Sequence, residues 1–475
     1  MTSDKNRPSA PRNARTKGGP DRKGGSRRPE RAPTRPGFEA RAVAAKLLAA
    51  VVDRRVSLDG MLDPGNGNPA YRALGDADRA LVRAILNACL RYLPRIEEAL
   101  DAMLDNPLPE GARALHHVIA VGAAQILYLD VPDHSAVDLA VEQANADPRN
   151  RRFAGLVNAV LRRFVRQKQQ ILERGEGTPS MPDWFYSRLA EVYGADAAAA
   201  IAEAQLTPAA IDISVKSDAA GWAGRLNGVV LPTGGIRLKP FEGQVSALDG
   251  YAEGEWWVQD AAASIPARLF GNLTGKRVVD LCAAPGGKTA QLILAGAKVT
   301  ALDQSATRLK RLATNLERLK LEAGLVETNM LDFRTEERFD AALLDAPCSS
   351  TGTTRRHPDV LYTKGPEDIE KLAGLQARML RHALTLVRPG GIVVFSNCSL
   401  DPAEGEDMVA ALLSERPDVS RVPVDPALWP GLEQAITPDG AVRTTPAMLA
   451  GQDGVASGLD GFYAVVLQLS ESATV

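Results

Sequence analysis

The segment RVVDLCAAPGGKT, residues 277–289, indicates the fold of the region that contains it. Its apolar run is typical of a buried strand that ends at Asp280, and Gly286 and Gly287 then open a helix. Glycines let the backbone come close to a ligand, and a helix amino terminus attracts anionic or polar groups. The spacing resembles the phosphate loop G-x-x-x-x-G-K-[ST], except that Cys282 occupies the place of the first glycine. The dinucleotide fingerprint G-x-G-x-x-G is absent from this segment.

Strand-like runs alternate with amphipathic helical stretches after about Trp256. This alternation predicts a mostly parallel sheet with helices on both faces, which is a Rossmann-like α/β fold. Such sheets bind ligands at the carboxyl ends of their strands, so we expect the chemistry there. The predicted strands are Arg277–Leu281, Lys298–Leu302, Leu325–Thr328, Phe339–Leu344 and Ile392–Phe395. The predicted helices include Ser305–Leu319 and Asp368–Val387, the second of which is stopped by Pro389-Gly390-Gly391.

Acidic residues follow the second and third predicted strands. Asp303 lies 23 positions after Asp280, where a carboxylate can accept hydrogen bonds from both hydroxyl groups of a ribose. Asp332 follows the third strand, and its carboxylate can accept a hydrogen bond from the exocyclic amine of adenine. Each carboxylate taken alone is equally well explained as a helix cap. The ordered set favours an adenosine ligand without phosphates, and S-adenosylmethionine (SAM) is such a ligand.

Two cysteines follow the fourth and fifth predicted strands. Cys348 comes shortly after Asp345, Cys398 comes directly after Asn397, and both lie in polar, loop-forming contexts. Cys89 instead lies on an apolar helical stripe and is interpreted as a core residue. A disulfide between Cys348 and Cys398 is disfavoured, because only four cysteines in 475 residues suit a reducing compartment.

Two other classes of protein are compatible with parts of this pattern. Gly287-Lys288-Thr289 and the strand Ala341–Asp345 resemble the phosphate loop and magnesium-binding strand of an ATPase or GTPase. The helical region described below, together with a basic amino-terminal segment, would suit a non-catalytic RNA-binding or antitermination-like protein. Neither alternative explains two cysteines at neighbouring strand ends, so an enzyme is the favoured interpretation.

Residues 38–166 are predicted to form packed helices. The last of these helices is strongly basic, with no acidic residue between Arg149 and Gln170, which favours a phosphate-contacting surface over an ordinary solvated face. One buried stripe with helical spacing consists of Leu81, Val82, Ile85, Cys89, Leu90 and Leu93. The basic residues are Arg149, Arg151, Arg152, Arg162, Arg163, Arg166 and Lys168.

The segment between the helical region and the predicted sheet has a mixed character. Residues 167–182 are predicted to be a linker, because they are rich in Lys, Gln, Gly and Pro, and a helix is predicted from Trp184 to about Ala204. A small α/β piece follows from about Pro208 to Gly254. It contains the strand-like runs Ile211–Val215 and Val229–Leu231.

The first 36 residues have a different composition from the rest. They contain eleven Lys or Arg against three Asp or Glu and are rich in Pro, Gly and Ser, so they are predicted to be a disordered basic arm. Such an arm gains affinity for nucleic acid by releasing counterions. The sequence has no apolar run of roughly 18 residues and no apolar signal segment near its start, so we expect a cytoplasmic protein without a membrane span. Five scattered histidines show no ligand spacing, so no metal is expected.

Several longer segments together resemble a known superfamily. DLCAAPGGKT (280–289), LDAPCSSTGTTRRHPDV (344–360) and FSNCSLDPAEGE (395–406) are similar to the RNA cytosine-C5 methyltransferases. VPDHSAVDLAVEQA (131–144) and FAGLVNAVLRRF (153–164) resemble the NusB-like amino-terminal domain of the bacterial Sun/Fmu family of ribosomal RNA methyltransferases. With the segments WVQDAAAS and DGFYAVVLQ, the resemblance covers roughly residues 38–470.

The resemblance implies a multidomain protein and a reaction. It implies a NusB-like all-helical RNA-binding domain (37–170), a linker helix with a small α/β subdomain (171–255) and a Rossmann-like SAM-dependent methyltransferase domain (256–472); the disordered arm (1–36) lies outside the resemblance. The implied reaction is methylation of C5 of a cytosine in ribosomal RNA of the small subunit, 16S. We expect a monomer that binds no membrane. Which cytosine is modified does not follow from these residues.

The resemblance also implies roles for particular residues. Cys398 is implied as the nucleophile that adds to C6 of the cytosine, and Cys348 as the residue that assists proton removal and product release. Asp345 would bind N3 and the 4-amino group, and Lys288 would lower the pKa of the thiol or stabilise developing negative charge. The implied SAM-binding residues are Cys282, Ala283, Ala284, Pro285, Gly286, Gly287, Lys288, Asp303, Arg308, Asp332 and Asp345.

Two residues depart from the pattern of the superfamily. Asn397 stands before the nucleophile, where threonine is usual, and Gly405 stands where asparagine is common. The local role of position 397 and the ligand contacts near position 405 are therefore not implied by the resemblance.

Overall fold

The computed structural model describes residues 35–63, 65–108, 110–449, 451 and 456–472. The basic arm predicted for residues 1–36 lies almost entirely outside these residues and stays a prediction. Over the described ranges, helices come first, and strands alternate with helices afterwards. In these same ranges, no helix combines the length and the apolar character that crossing a membrane requires.

Ten α-helices come before the first strand of the described chain, and the first seven share one apolar core. They are α1 (Phe38–Arg54), α2 (Leu58–Met61), α3 (Pro69–Arg72), α4 (Asp76–Asp101), α5 (Arg113–Tyr128), α6 (Asp133–Ala146), α7 (Ala154–Arg166), α8 (Lys168–Gly175), α9 (Asp183–Tyr193) and α10 (Ala195–Leu206). Cys89 on α4 is fully buried in this core, as predicted. Gly122 on α5 permits close contact with α7, because a Cβ there would lie 2.7 Å from Cδ1 of Leu161.

Two predictions between residues 167 and 206 are wrong. The predicted linker at 167–182 contains α8, because Ile171 and Leu172 pack against the helical core and give this polar segment a buried side. The single helix predicted from Trp184 is divided into α9 and α10 at Gly194, whose φ of 83° lies in the left-handed region. A continuous helix cannot pass through that conformation, and glycine adopts it without steric cost.

A small antiparallel sheet with the strand order β2-β3-β1-β4 follows α10. Its elements are β1 (Asp212–Val215), α11 (Ala219–Arg225), β2 (Gly228–Val230), β3 (Ile236–Leu238) and β4 (Trp256–Val258). A buried ion pair joins β3 to β1, with Arg237 Nε 2.7 Å from Asp212 Oδ1. The two predicted runs in this piece coincide with β1 and β2 to within one or two residues.

The remaining elements form a larger sheet with helices on both faces. They are α12 (Ile265–Arg268), β5 (Arg277–Asp280), α13 (Gly287–Leu294), β6 (Lys298–Asp303), α14 (Ala306–Arg318), β7 (Gly324–Glu327), β8 (Phe339–Asp345), α15 (Val360–Thr363), α16 (Pro366–Leu386), β9 (Val387–Asn397), α17 (Glu406–Glu415), β10 (Val419–Val422), β11 (Val442–Thr444) and β12 (Phe462–Leu469). The strand order is β10-β12-β9-β8-β5-β6-β7, and β11 pairs with β12.

The predicted mostly parallel sheet is confirmed for β5 to β9, which run parallel to their neighbours. The pairs that β12 makes with β9, β10 and β11 are antiparallel, so the sheet as a whole is mixed. Separate apolar clusters cover its two faces. The carboxyl ends of β5, β6, β8 and β9 therefore point to one edge, where the candidate residues lie.

The start of β9 differs from the prediction. The turn Pro389-Gly390-Gly391 was expected to follow α16 as a loop, but it lies inside the strand. The pairing of β8 with β9 shifts its register between Phe339 and Ala341, and Gly390 adopts a φ of 73°. The turn residues therefore interrupt the pairing of β9 with β8 near the start of the strand, as in a β-bulge, and regular pairing resumes at Ile392.

The segment after β8 is held from the helical side. Tyr362 on α15 donates a hydrogen bond from its hydroxyl to the carbonyl oxygen of Leu90, at 2.9 Å. Arg91 on α4 donates from Nη2 to the carbonyl oxygen of Arg355, at 2.7 Å. The segment that follows Cys348 is therefore attached to the core helix α4.

Candidate active site

The glycine loop after β5 has the backbone that its sequence predicts. Gly286 has a φ of 102°, and α13 begins at Gly287. A Cβ at Gly286 would lie 3.1 Å from Leu312 Cγ, and one at Gly287 would lie 3.3 Å from Trp257 Nε1. The loop is therefore pressed against α14 on one side and β4 on the other, and only glycine fits this course without displacing a neighbour.

The loop forms one wall of a cavity of about 320 Å³. The cavity is lined by residues 282–288, by Asp280 and Asp345 at the ends of β5 and β8, and on the opposite side by Trp257 and Arg318 among others. All the predicted loop residues lie in this wall: Cys282, Ala283, Ala284, Pro285, Gly286, Gly287 and Lys288. A ligand in this cavity would contact the loop backbone, two carboxyl groups and an aromatic ring.

Lys288 and Asp345 form an ion pair at this site. Lys288 Nζ lies 2.7 Å from Asp345 Oδ2, with 13% and 28% of the two side chains exposed. Ser396 Oγ on β9 donates to the other carboxylate oxygen, at 2.8 Å. Lys288 Nζ also lies 5.1 Å from the ring centroid of Phe462. Lys288 is therefore not an ordinary exposed lysine at a helix start, because these contacts bury most of its side chain.

Asp280 is a buried carboxyl group at the end of β5. Thr289 Oγ1 donates to its Oδ2 at 2.7 Å, and 1% of the residue is exposed. Burial raises the pKa of Asp280 to about 7, against the effects of Thr289 and Lys288, which lower it. This group is therefore partly protonated near neutral pH, unlike an ordinary aspartate.

Asp303 lies at the end of β6, next to Arg308. Its Oδ1 accepts from Ser305 N at 3.0 Å, and Arg308 Nη2 donates to the carbonyl oxygen of Ala284, at 2.8 Å. Asp303 Oδ2 is buried, lies 3.1 Å from Arg308 Nη1, and accepts no hydrogen bond from any described residue. One oxygen of Asp303 thus holds the backbone of Ser305, the residue that caps α14, and the other has no hydrogen-bond donor among the described residues.

Asp332 is not brought into the same cavity. It is exposed after β7 and does not line the cavity beside the glycine loop. Asp303 and Arg308 also lie outside that cavity and are connected to the glycine loop through Ala284. The predicted cofactor residues therefore form two neighbouring groups, the loop with Asp345 and the pair at the end of β6, with Asp332 apart from both.

The two candidate cysteines meet. Cys348 Sγ and Cys398 Sγ lie 3.3 Å apart, because β8 and β9 are parallel neighbours and both cysteines follow their carboxyl ends. Both thiols are free. The hydrogen bond between the two sulfur atoms and the burial of Cys348 raise its pKa well above the usual value of a thiol. Cys348 is therefore a proton-bearing group in contact with Cys398.

Cys282 differs from this pair. Burial is the largest cause that raises the pKa of Cys282, and the nearby carboxylates Asp280, Asp345 and Asp303 raise it further. A thiolate is not favoured at this position, so Cys282 contributes apolar surface to the loop and not a nucleophile.

Comparisons with known proteins agree with this geometry. Residues 39–166 match the model of the NusB family, and residues 271–464 match the family described as 16S rRNA methyltransferase RsmB/F. The ribosomal RNA small subunit methyltransferase B of Serratia proteamaculans is 33% identical, over 85% of this chain and 96% of that protein. The protein of the same name from Vibrio vulnificus is 34% identical, over 90% of this chain and 99% of its own length. The chain belongs to the ribosomal RNA small subunit methyltransferase B family.

A solved structure also resembles this member of the methyltransferase B family. A methyltransferase homologue from Pyrococcus horikoshii has a TM-score of 0.50 and 27% identity, over 63% of this chain and 98% of that one. Family membership makes the chain a SAM-dependent methyltransferase and confirms the resemblance seen in its sequence. An ATPase, a GTPase and a non-catalytic RNA-binding protein are thereby set aside.

The residues of this family member fit SAM. The buried Asp303 Oδ2, without a hydrogen-bond partner among the described residues, suits the hydroxyl groups of a ribose. The carboxyl groups of Asp280 and Asp345 line the cavity beside the glycine loop, where they can lie against the sulfonium group.

The sequence motifs did not predict three residues that belong to this site. Trp257 and Arg318 line the cavity from β4 and α14. Phe462 on β12 packs with Ala262 and Leu459 in a small cluster that Cys398 also touches. Their sequence contexts carry no motif of their own, and the segments WVQDAAAS and DGFYAVVLQ were the only signal that drew attention to two of them.

Proposed function

We propose that this enzyme methylates C5 of a cytosine in ribosomal RNA of the small subunit, with Cys398 as the covalent nucleophile. The observation that carries this proposal is the pair of free thiols, 3.3 Å apart, after the ends of neighbouring strands of the sheet that carries the glycine loop, although neither cysteine lines the cavity at that loop. The names of the relatives supply the ribosomal RNA substrate. We place the reaction in the cytoplasm, where such a substrate would be met.

The chemistry explains why one thiol is needed. C5 of cytosine is too weak a nucleophile to accept a methyl group directly. Addition of the Cys398 thiolate to C6 forms a C–S bond and makes C5 electron-rich, which is covalent catalysis. Bound SAM supplies the electrophilic methyl group that C5 then takes.

The second thiol serves the release of the product. After methylation, C5 still carries its proton, and this proton must leave before the C6–S bond can break and return the thiolate to Cys398. Cys348 touches the sulfur of Cys398 and has a raised pKa, so at neutral pH it holds its own proton. As the C6–S bond breaks, Cys348 can give that proton to the sulfur of Cys398 and take the C5 proton in its place, so that both residues end as thiols. We assign to Cys348 this assistance in proton removal and release.

Asp345 and Lys288 hold the base. Two of the hydrogen-bonding positions of the Asp345 carboxylate are taken by Lys288 and Ser396, and a carboxylate offers about four. The remaining positions can accept from the 4-amino group and from a protonated N3 of cytosine. Lys288 fixes Asp345 in place through the ion pair. Its ammonium group also lies near the ring of Phe462, which belongs to the cluster that Cys398 packs against.

The exposed basic side of α7 is proposed to contact the RNA backbone. Arg162 and Arg166 on this helix and Arg152 in the turn before it are exposed, while the opposite side of the helix carries Val157 and Phe164 into the core. Guanidinium groups on one helix face suit phosphates, which agrees with the RNA-binding role proposed for residues 37–170.

The experiment measures 5-methylcytidine in small-subunit ribosomal RNA after incubation with SAM and purified protein. Cys398→Ala is expected to make none while its affinity for SAM, measured by calorimetry, is unchanged. Cys89→Ala is the matched control, since it removes a thiol from the helical core and is expected to stay active. Substantial 5-methylcytidine formed by Cys398→Ala, or a different modified nucleoside formed by the wild type, would refute the proposal.

A further inference from the structure

Glu404 is a buried carboxyl group beside the two thiols that the reaction scheme above does not use. It lies in the short 3-10 turn Pro402–Glu404, between β9 and α17, and 0% of the residue is exposed. Burying a carboxylate costs several kcal/mol unless it is hydrogen-bonded. The contacts of Glu404 therefore have to account for its position.

Hydrogen bonds from two different segments satisfy Glu404. Its Oε1 accepts from the backbone N–H of Ser349 at 2.9 Å and from Gln376 Nε2 at 2.8 Å. Its Oε2 accepts from the hydroxyl of Ser349. Ser349 directly follows Cys348 in the sequence, so Glu404 holds the backbone next to one of the two thiols.

The same cluster holds the backbone on both sides of the other thiol. Asn397 Nδ2 donates to the carbonyl oxygen of Glu404 at 2.6 Å and to Gln376 Oε1 at 3.1 Å. Asn397 Oδ1 accepts from the N–H of Ser399 at 2.9 Å. Asn397 and Ser399 are the two neighbours of Cys398, so Gln376 and Glu404 together connect the segments of both cysteines.

We propose that Glu404 is a positioning residue for the methyl transfer: it fixes the Cys348 and Cys398 segments against each other, so that Cys398 can attack the base while Cys348 serves the release. The negative charge of the Glu404 carboxylate acts on Cys348 as well, in favour of its thiol form. This inference rests on the proposed function. It assigns no contact between Glu404 and the RNA or SAM.

The charges around the thiols support this division of roles. The hydrogen bond that Cys348 shares with Cys398 is the largest cause that raises the pKa of Cys348, followed by burial, and Glu404 raises it as well. Burial also raises the pKa of Glu404, while its bonds from Ser349 and Gln376 lower it. From β11, Arg443 donates to the carbonyl oxygen of Ser399 and is neutralised by Glu406 of α17. Beyond these, the Lys288–Asp345 pair is internally neutral, so Glu404 supplies the uncompensated negative charge next to Cys348.

Two substitutions separate the charge of Glu404 from its geometry. Glu404→Gln keeps the length and a carbonyl acceptor but removes the charge, and Glu404→Asp keeps the charge but shortens the side chain. Glu415→Gln is the matched control, because Glu415 ends α17 in an exposed pair with Arg381. Circular dichroism and SAM affinity verify that each variant is folded.

The first readout is the alkylation rate of each cysteine in the free protein, measured against pH by peptide mass spectrometry. In Glu404→Gln, Cys348 is expected to react roughly tenfold faster at a given alkaline pH, which corresponds to a pKa lower by about one unit. Glu404→Asp and Glu415→Gln are expected to keep the wild-type profile. The second readout is kcat on ribosomal RNA, which both Glu404 variants are expected to lower while KM for SAM is unchanged.

Two results would overturn the inference: an unchanged alkylation profile in Glu404→Gln, or wild-type kcat in both Glu404 variants. If Glu404→Gln does not fold, wild-type kcat in Glu404→Asp is sufficient to reject it. Alkylation requires neither RNA nor turnover, so it stays informative whatever the RNA reaction turns out to be. Methylation by Cys398→Ala would instead count against the proposed function itself.

Discussion

Individual residues in this site act differently according to their surroundings. Three cysteines follow strand ends of the larger sheet, and their environments distinguish them. Cys282 is enclosed by apolar surface and carboxylates, which raise its pKa, whereas Cys348 and Cys398 share one contact between their sulfur atoms. In the proposed mechanism, this contact would bring a nucleophile and a proton carrier to the same cytosine, which a lone thiol cannot do.

The role of Cys348 can be tested by trapping. Cys348→Ala is expected to add to the RNA and accept the methyl group, but to release product slowly, because the proton on C5 no longer has its carrier. A protein–RNA adduct that resists denaturant should therefore accumulate, visible as a shifted band on a denaturing gel. Cys348→Ala and Cys398→Ala combined should form no adduct. Prompt release of methylated RNA by Cys348→Ala would remove Cys348 from the mechanism.

Asp280 predicts a dependence of stability on pH. Its pKa is raised by burial to about 7 from an ordinary value of about 4, so the folded state holds a proton more tightly than the unfolded state. The stabilisation that this group provides is complete below about pH 4 and is lost as the pH rises toward 7, at up to about 1.4 kcal/mol per pH unit. Asp280→Asn should therefore gain stability relative to the wild type between pH 5 and pH 8.

The matched control for that measurement is Asp340→Asn. The backbone N–H of Arg277 and the side chain of Arg388 lower the pKa of Asp340, so its charged form stabilises the fold. Asp340→Asn should lose stability at pH 7, which is the opposite sign. Urea unfolding of both variants across the pH range gives the comparison, and a parallel response of the two would contradict the assignment for Asp280.

At the scale of elements, the site depends on which strand ends are neighbours. The parallel pairing of Asp345 with Ser396 places the ends of β8 and β9 side by side. Cys348 and Cys398 come two or three residues later in the chain, so they also lie close together. The segment after Cys348 is also attached to α4, through Arg91 and the carbonyl oxygen of Arg355. The helical region thus supports the active site directly, in addition to its proposed contact with RNA.

Arg91→Met tests that support. It removes the bonds to the carbonyl oxygens of Arg355 and Gln205, which leaves buried acceptors unpaired and should cost roughly 1–3 kcal/mol of unfolding free energy. Arg91→Met should also lower kcat, because the segment after Cys348 loses its hydrogen bond to α4. Arg79→Met, on the exposed end of the same helix, is the control and should change neither quantity. Wild-type kcat in a destabilised Arg91→Met would show that α4 serves folding alone.

At the scale of the whole molecule, SAM should stabilise the entire described chain by binding its folded state. The expected gain in Tm grows with ligand concentration relative to Kd. Asp303→Ala removes the acceptor assigned to the ribose, and hydrogen bonds to a charged group contribute about 1.5–3 kcal/mol, so the affinity should fall roughly 10- to 100-fold. Calorimetry with SAM measures this directly. Asp425→Ala, at an exposed turn, is the control, and equal affinities in the two variants would remove Asp303 from the site.

Much of the molecule is predictable from its sequence where the signal is local. The apolar runs of β5, β6 and β8 are bounded by turn residues, so both the strands and the carboxyl groups at their ends were predicted correctly. Helix α8 was missed, because its few apolar residues acquire a buried side only by contact with helices far away in the sequence. Glu404 was missed for the same reason: its partners Ser349 and Gln376 lie 55 and 28 positions away.

The distance between the sulfur atoms of Cys348 and Cys398 has a practical consequence for anyone handling the enzyme. Loss of two electrons and two protons to an oxidant would join these atoms in a bond, and the protein would then have no nucleophile to offer. Preparations kept without a reductant should therefore lose turnover over storage and regain it with dithiothreitol, while folding and cofactor affinity stay intact. The redox state of a preparation should therefore be checked before low activity is attributed to a substitution.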